Sequence, residues 1–249
     1  MQGPPIAAET AAFLAIGNEL LSGKVVEANL APLATTLRGL GVELTTAELL
    51  PDDVPRLAQA IRRLAATHEL VVTSGGVGPT HDDVTMEAVA LAFGRGVVRE
   101  PRLIELVQRT FGEKTTEAHL RFADVPEGAV LRRAPDLAWP TPVVENVWIL
   151  PGVPEVFRMK LATLRSWVRG KAPFVTRALV LTQEEVELKA VLDQVVPLHP
   201  RVTIGSYPAL FNPAYKTRVT FDAQSEDAVT AALEDLRARL LPSVIVAIE

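Results

Sequence analysis

Short apolar runs alternate with amphipathic helical stretches through the first third of the chain, and this alternation limits the fold more than any other feature. Phe13–Ile16 and Leu70–Thr73 are predicted to be buried strands, because each is a mostly apolar run that ends at a loop containing glycine. Leu30–Leu40 and Val54–Ala65 carry apolar residues at helical spacing, and Val42–Leu49 supplies a strand between them. Strands that alternate with helices form a parallel sheet with right-handed crossovers. The sequence therefore predicts an α/β fold whose ligands bind at the carboxyl ends of the strands.

The other elements of this first region follow from similar patterns. Asn29 is expected to cap the helix that begins after it, and Gly41 is expected to end that helix. Further helices are predicted over Val84–Ala92, over Pro101–Phe111 and from Pro154 onward, an edge strand over Gly128–Arg133, and one extended segment over Val143–Leu150.

The pattern changes after Gly170. The elements beyond it follow the order strand, helix, strand, strand, helix, strand, over Phe174–Leu181, Glu184–Val195, Val202–Ser206, Tyr215–Phe221, Ser225–Leu241 and Val244–Ile248. This βαββαβ order is typical of a small two-layer α+β domain of the ferredoxin-like type. We therefore predict a flexible N-terminus (residues 1–10), a first domain (11–170) and a small C-terminal domain (171–249).

Composition disfavours several classes of protein. With 48% hydrophobic and 22% charged residues, the chain can bury a sizeable core, which argues against disorder. A net charge of −5 without a long basic run disfavours a nucleic-acid partner. The absence of cysteine excludes disulfides, thiolate nucleophiles and zinc–thiolate sites, and it fits a reducing cytoplasm. The sequence has no signal-peptide pattern and no apolar run of about 18 residues, so a cytoplasmic protein without a membrane span is expected.

The most informative segment is a glycine-rich loop between the strand that ends at Thr73 and the helix that begins near Val84. Glycines let backbone N–H groups approach an anion closely, and the N-terminus of the next helix adds a favourable dipole. The alternative is a tight turn followed by an aspartate that caps the helix, and spacing alone does not decide between the two. The first interpretation predicts binding of a phosphate or pyrophosphate by Ser74, Gly75, Gly76, Val77, Gly78, Pro79 and Thr80.

Two pairs of aspartates are candidate ligands for a divalent metal. Asp82 and Asp83 follow the glycine loop, and Asp52 and Asp53 follow the second strand, at the same sheet edge if the sheet is parallel. Carboxylate oxygens are preferred ligands of Mg²⁺, which would polarise the phosphoryl oxygens of a bound pyrophosphate for in-line attack. The alternative is that the aspartate at the start of the following helix serves only as a helix cap.

Two common nucleotide-binding signatures fail at identifiable positions. The dinucleotide fingerprint needs a small residue where His81 stands, so no NAD site is expected, and His81 is expected to be a solvent-facing loop residue. Asn18–Val25 resembles the end of a P-loop, but it begins with asparagine instead of glycine and ends with Val25 instead of the hydroxyl that binds magnesium.

Four motifs together resemble the competence/damage-inducible protein A (CinA) family, which contains a MoaB/Mog-like domain of the molybdopterin-binding type. The motifs are Gly17-Asn-Glu-Leu-Leu-Ser-Gly23 with Asn29 downstream, Pro51-Asp52-Asp53, Gly75–Thr85, and Leu150-Pro-Gly-Val-Pro154. Val143–Trp148 and Ile204–Pro208 are similar to the corresponding domain of eukaryotic FAD synthases. The resemblance implies a MogA-like three-layer α/β/α fold with a mostly parallel sheet.

The resemblance also implies a reaction and a set of site residues. For several relatives it implies metal-dependent cleavage of a nucleotide pyrophosphate such as ADP-ribose or FAD. Asp52, Asp53, Asp82 and Asp83 would be catalytic, and Asp52, Asp82 and Asp83 would bind the metal. The family usually has Asp or Thr where this chain has Asn18, and no amidohydrolase motif is found, so deamidation of nicotinamide nucleotides is not expected. The phosphate or nucleotide would contact the glycine loop together with Gly17, Asn18, Glu19, Asn29, Pro151 and Gly152.

Three functions fit these patterns. The first is a nucleotide pyrophosphatase that converts an ADP-X compound to AMP and X-phosphate with Mg²⁺ or another divalent ion. The second is a transferase that adenylylates molybdopterin, and the third is a non-catalytic module that binds a pterin or a nucleotide. In each case the partner is a small nucleotide or pterin ligand, and the chain is expected to form a homo-oligomer.

Overall fold

The computed structural model describes residues 4–249, which separate into two compact units, residues 4–170 and residues 171–249. None of the helices in this described part is long and apolar enough to cross a membrane.

The first unit carries the strands that were predicted from the alternating pattern, together with several short ones. Its strands are β1 (Ile6–Ala7), β2 (Thr10–Ile16), β3 (Glu43–Leu50), β4 (Leu70–Ser74), β5 (Val97–Arg99), β6 (Asp124–Pro126), β7 (Val130–Arg132), β8 (Thr141–Val144), β9 (Val147–Leu150) and β10 (Val168–Arg169). Its α-helices are α1 (Asn18–Leu21), α2 (Leu30–Leu40), α3 (Val54–Thr67), α4 (Thr85–Ala92), α5 (Pro101–Phe111), α6 (Glu117–Leu120) and α7 (Pro154–Trp167), and two 3-10 turns cover Gly112–Lys114 and Arg121–Ala123.

A six-stranded sheet in the order β3-β2-β4-β9-β8-β7 forms the centre of this unit. Its first three pairings, β3 with β2, β2 with β4 and β4 with β9, are parallel. The last two pairings, β9 with β8 and β8 with β7, are antiparallel. The mostly parallel sheet is therefore confirmed, and β7 lies at its edge, where an edge strand was predicted.

Two apolar cores lie on the two faces of this sheet, which makes the three-layer α/β/α arrangement. Because successive side chains of a strand point to opposite faces, Phe13 of β2 packs into one core and its neighbour Leu14 into the other. The first core includes Leu33 and Leu37 of α2 and Phe157 and Leu161 of α7, and the second includes Leu57 and Ile61 of α3 and Ala88 and Val89 of α4. Burial on both faces explains why β2 is a continuous apolar run.

The prediction of one extended segment over Val143–Leu150 was wrong. These residues form the antiparallel hairpin of β8 and β9, which turns at Glu145, where φ is +50°. Both strands are buried, so the run of apolar residues on either side concealed the turn. The Asn146 side chain holds the turn in place, since its Nδ2 donates to the carbonyl oxygens of Ala65 (3.0 Å) and His68 (2.7 Å).

The segment that was predicted to be a flexible N-terminus contains a paired strand. β1 pairs in parallel with β10, and the Ala8 N–H donates to the Arg169 carbonyl at 3.0 Å. Residues 6–8 of this segment therefore find backbone partners on β10, directly after α7, and Thr10 belongs to β2, which pairs with β3. Residues 1–3, which belong to the same prediction, lie outside the described residues.

The second unit has the predicted βαββαβ order. Its strands β11 (Val175–Leu181), β12 (Thr203–Pro208), β13 (Thr217–Ala223) and β14 (Ile245–Ile248) form an antiparallel sheet in the order β12-β13-β11-β14. Helices α8 (Glu185–Val195) and α9 (Glu226–Ala238) contribute Leu188 and Leu233 to one shared core with these strands. Two further 3-10 turns cover Val196–Leu198 and Pro242–Val244. The small α+β domain is confirmed.

Lys160 of α7 is a buried cation in the first unit. Its side chain is 9% exposed, and its Nζ donates to the carbonyl oxygens of Trp139 (2.6 Å) and Pro140 (2.7 Å). Burial lowers the pKa of Lys160 to about 8, because a charged amine loses its hydration there. A neutral amine keeps two N–H donors, which match these two carbonyl acceptors.

The Lys160→Met variant tests this assignment through pH. Between pH 8 and 10.5 the unfolded chain binds the lysine proton more strongly than the folded chain does, so the contribution of Lys160 to the free energy of unfolding rises with pH across that window. We expect Lys160→Met to lose this rise, measured by urea unfolding with tryptophan fluorescence, because Trp139, Trp148 and Trp167 all lie in the first unit. Lys114→Met, which removes an exposed lysine, is the control. Parallel curves for the wild type and Lys160→Met would contradict the assignment.

Candidate functional site

The loops after β2, β4 and β9 meet at the carboxyl ends of these parallel strands, where ligands of open α/β sheets bind. Together they surround a cavity of about 640 Å³. This volume lies within the range of about 300–1,000 Å³ that is usual for ligand pockets. The cavity is lined by Glu19, Val25, Gly75, Gly76, Val77, Gly78, Pro79, Asp83, Phe122, Pro151, Gly152, Val153, Pro154 and Val156.

Two glycines allow the loop after β4 to take its path. Gly75 has a φ of +109°, and a Cβ at this position would lie 2.2 Å from the carbonyl oxygen of Ile16. Gly76 has a φ of +62°, and a Cβ there would lie 2.5 Å from Oγ1 of Thr85. The Thr85 hydroxyl donates to the Gly75 carbonyl at 2.7 Å, and the Thr85 N–H donates to the Gly76 carbonyl at 2.9 Å. The first turn of α4 therefore holds the glycine loop in a conformation that other residues rarely adopt.

The Asn29 side chain connects two of the loops, and the prediction that it caps α2 was wrong. Its side chain makes no capping bond, and the Glu27 carboxylate instead accepts from the N–H groups of Asn29 (2.7 Å) and Leu30 (3.0 Å). Asn29 is 4% exposed, and its Nδ2 donates to Ser74 Oγ at 2.9 Å and to the Gly152 carbonyl at 2.8 Å. Its amide therefore ties the end of β4 to the loop after β9, and its Oδ1 has no hydrogen-bond partner within the described part of the chain.

The aspartates after β3 make bonds that hold neighbouring segments. Asp53 caps α3, because its Oδ1 accepts from the Arg56 N–H at 2.9 Å. Asp52 Oδ2 accepts from the N–H of Asn18 at 2.9 Å and so fixes the start of α1. For Asp53, the alternative that the aspartate serves as a helix cap is therefore correct. Neither Asp52 nor Asp53 lines the cavity.

The aspartates after the glycine loop are closer to the cavity. Asp83 lines it, and its Oδ2 accepts from the Thr80 N–H at 2.8 Å. Asp82 is exposed, as is His81, and hydrogen bonding with the Thr80 side chain and with its own backbone lowers the pKa of Asp82. Over residues 4–249, no three histidine, aspartate or glutamate side chains form a group that could hold a metal ion. The two aspartate pairs therefore do not form one group of metal ligands within the described residues, and the binding of a divalent metal stays a prediction.

Phe122 is a cavity residue that the sequence analysis missed. It lies on the 3-10 turn Arg121–Ala123, far downstream of the glycine loop, and no motif marks that segment. The Arg121 guanidinium reaches the loop as well, since its Nη1 donates to the Pro79 carbonyl at 3.2 Å.

Comparison with known proteins identifies both parts of the chain. Residues 12–168 match the family described as a probable molybdopterin binding domain. The chain belongs to this molybdopterin-binding domain family. Residues 173–249 match the family described as the middle domain of FAD synthase.

Individual relatives agree with these two matches. A protein of Archaeoglobus fulgidus is 33% identical over 89% of this chain and 94% of its own length. A probable FAD synthase of Caenorhabditis elegans is 29% identical over 95% of this chain, which spans 51% of that protein. The crystal structure of the protein CinA from Thermoplasma acidophilum, a protein described as of unknown function, has a TM-score of 0.58 and 29% sequence identity, and the match covers 64% of this chain and 97% of that one. The predicted resemblance to the CinA family and to a FAD synthase domain is confirmed.

The Asn29→Asp variant tests the connection between the loops. Aspartate has nearly the size of asparagine but donates no hydrogen bond, so the Gly152 carbonyl and the Ser74 hydroxyl lose the N–H donor that Asn29 gives them. We expect the free energy of unfolding to fall by about 1–3 kcal/mol, measured by urea unfolding with tryptophan fluorescence. Gln59→Glu is the control, because it makes the same change from an amide to a carboxylate at an exposed position of the first unit, where the tryptophans lie. Equal stabilities of the two variants would show that the amide of Asn29 does not support the site.

A pair of glycine variants separates backbone strain from the contact with Thr85. Gly76 and Gly94 have nearly the same φ, +62° and +65°, but only a Cβ at Gly76 meets a neighbouring atom within 4 Å. Each change to alanine should cost about 1–2 kcal/mol for the left-handed backbone. We expect Gly76→Ala to be the less stable variant in thermal unfolding, because it also displaces the Thr85 hydroxyl from the Gly75 carbonyl. A Gly94→Ala variant with the lower Tm would refute this account of the loop.

Proposed function

We propose that the chain binds a nucleotide pyrophosphate of the ADP-X type, such as ADP-ribose or FAD, and hydrolyses it to AMP and X-phosphate. One observation carries the proposal. The backbone N–H groups of Gly76, Val77 and Gly78 make no hydrogen bond with any other described residue, although they belong to the wall of a cavity. Consecutive N–H groups of this kind, close to a helix N-terminus, form a binding site for phosphate oxygens.

The same donors support the chemistry of pyrophosphate cleavage. Negative charge develops on the phosphoryl oxygens as water attacks phosphorus and the bridging P–O bond breaks, and fixed N–H donors stabilise that charge. Of the four predicted catalytic aspartates, Asp83 is the one that lines the cavity. We assign to its carboxylate the role of accepting a proton from the attacking water.

The predicted divalent metal has no step in this proposal. The carboxylates of Asp52, Asp53 and Asp83 already accept backbone N–H groups, and no group of three acidic or histidine side chains forms in the described part of the chain. The requirement for Mg²⁺ or another divalent ion stays a prediction from the sequence. This requirement is tested by measuring turnover after the metals have been removed with EDTA, and again after Mg²⁺ or another divalent ion has been added back.

Adenylyl transfer to molybdopterin is the second candidate, and the match of residues 12–168 to a probable molybdopterin binding domain favours it. The same phosphate-binding loop would then hold the adenylylated product.

The match of residues 173–249 to a domain of FAD synthase supports a dinucleotide such as FAD as the ligand. Formation of a homo-oligomer, expected from the resemblance, is part of either proposal and is measured by light scattering.

The experiment compares the wild-type protein with Asp83→Asn and with Asp136→Asn, which removes an exposed carboxylate that does not line the cavity. Each protein is incubated with ADP-ribose or FAD, and products are followed by phosphorus NMR. We expect the wild type and Asp136→Asn to release AMP and X-phosphate. Turnover by Asp83→Asn should fall by about 100-fold or more, the usual effect of removing a general base.

Two outcomes would refute parts of this proposal. Turnover by Asp83→Asn within a few-fold of the wild type would remove Asp83 from the reaction. If the protein releases no product from either compound but forms adenylylated molybdopterin from ATP, the function is that of the transferase and not that of the hydrolase.

A further inference from the structure

A second cavity of about 360 Å³ adjoins the first one. The two share the walls formed by Val77, Gly78, Asp83 and Phe122. A ligand whose phosphates lie on the glycine loop can therefore extend into either cavity. The volume of the second cavity lies near the lower end of the usual range of about 300–1,000 Å³, so it suits one part of such a ligand. Its further lining residues are Met86, Glu87, Val97, Arg121 and Asp124.

The Phe122 ring is held in place by other aromatic rings. It stacks on Phe111, with ring centroids 6.4 Å apart and an angle of 12° between the planes, and it meets Trp139 edge to face at 6.4 Å and 69°. Phe122 is half-buried and also lines both cavities. An aromatic ring that is fixed on one side and open on another gives a stacking surface for a planar group.

Polar groups stand beside this ring. Arg121 lines the second cavity, and one of its five N–H donors is used by the Pro79 carbonyl. Asp124 is engaged by Arg99, whose Nε and Nη2 donate to its two oxygens at 2.8 and 3.2 Å. The side chain of Glu87 makes no hydrogen bond or ion pair with the other described residues, so its carboxylate is free to accept a hydrogen bond.

We infer that the second cavity binds a planar, nucleobase-like heterocycle, which stacks on Phe122, donates an N–H to Glu87 and accepts a hydrogen bond from Arg121. The inference deepens the proposed function and rests on it only in placing the phosphates on the glycine loop. A phosphate group does not suit the cavity, because three carboxylates and one guanidinium line it. A sugar alone would leave the apolar wall of Met86, Val97 and Phe122 without a partner.

The test measures binding by calorimetry with AMP, FMN, ribose 5-phosphate and inorganic pyrophosphate as probes. We expect the wild-type protein to bind AMP or FMN at least about tenfold more tightly than ribose 5-phosphate, the order of effect of one aromatic stacking contact. Phe122→Ala should abolish this preference. Phe122→Tyr, which keeps an aromatic ring, should retain it, and the affinity for pyrophosphate should be the same in all three proteins.

A second variant covers the case in which Phe122→Ala does not fold. Glu87→Gln alters an exposed side chain, and it should weaken AMP or FMN binding at least about threefold without changing pyrophosphate binding, because an amide oxygen accepts more weakly than a carboxylate. Equal affinities of the wild type for AMP, FMN and ribose 5-phosphate would overturn the inference. So would a ring preference that survives in Phe122→Ala. If Phe122→Ala does not fold, an affinity of Glu87→Gln for AMP and FMN equal to that of the wild type would overturn it.

These outcomes are distinguishable from a failure of the proposed function, because the calorimetry measures binding alone and the proposed function is tested separately by turnover. If the protein prefers AMP or FMN through Phe122 but releases no product from ADP-X, the heterocycle site is supported and the hydrolase function is refuted. If the protein hydrolyses ADP-X but shows no preference for ligands that carry a ring system, the hydrolase function is supported and the heterocycle site is refuted.

Discussion

The close approach of three backbone segments at the carboxyl edge of the sheet is the constraint on which the site depends. The ends of β2, β4 and β9 come so near to one another that a Cβ at Gly75 would lie 2.2 Å from the Ile16 carbonyl oxygen, and one at Gly152 would lie 3.0 Å from Gly75 Cα. The Asn29 amide then joins the loop after β4 to the loop after β9. Because the backbones meet without side chains between them, the N–H groups of the glycine loop line a cavity.

Many of the polar side chains around this edge are used to hold the loops. Asp53 caps a helix, Asp52 fixes the start of α1, and Asp83 accepts from the loop backbone. A carboxylate that satisfies backbone donors stabilises one conformation, but it has fewer oxygens left for a metal. For these described residues, unpaired backbone N–H groups therefore give stronger support for anion binding than the acidic residues give for a metal.

The segment between α4 and β7 encloses the site from one side. β5 pairs with β6, and Arg99 on β5 binds both Asp124 on β6 and Glu117 on α6. The hydrogen bonds that Arg99 donates to Asp124 and Glu117 raise the pKa of Arg99, but the pairs are partly exposed and contribute modestly to stability. Their effect is to place the turn with Phe122 next to the glycine loop, where it forms the wall shared by two cavities.

The sequence by itself determined the fold class, since continuous apolar runs require strands buried on both faces and amphipathic stripes require helices that cover them. It also located the glycine loop, because glycine readily takes the positive φ angles of positions 75 and 76, which other residues rarely adopt. Local pattern did not reveal the hairpin at Glu145, because both of its strands are apolar. The role of Asn29, the partners of the aspartates and the position of Phe122 were decided by tertiary structure alone. Each depends on contacts between residues far apart in the chain, such as Asn29 with Gly152, and spacing along a sequence carries no information about such contacts.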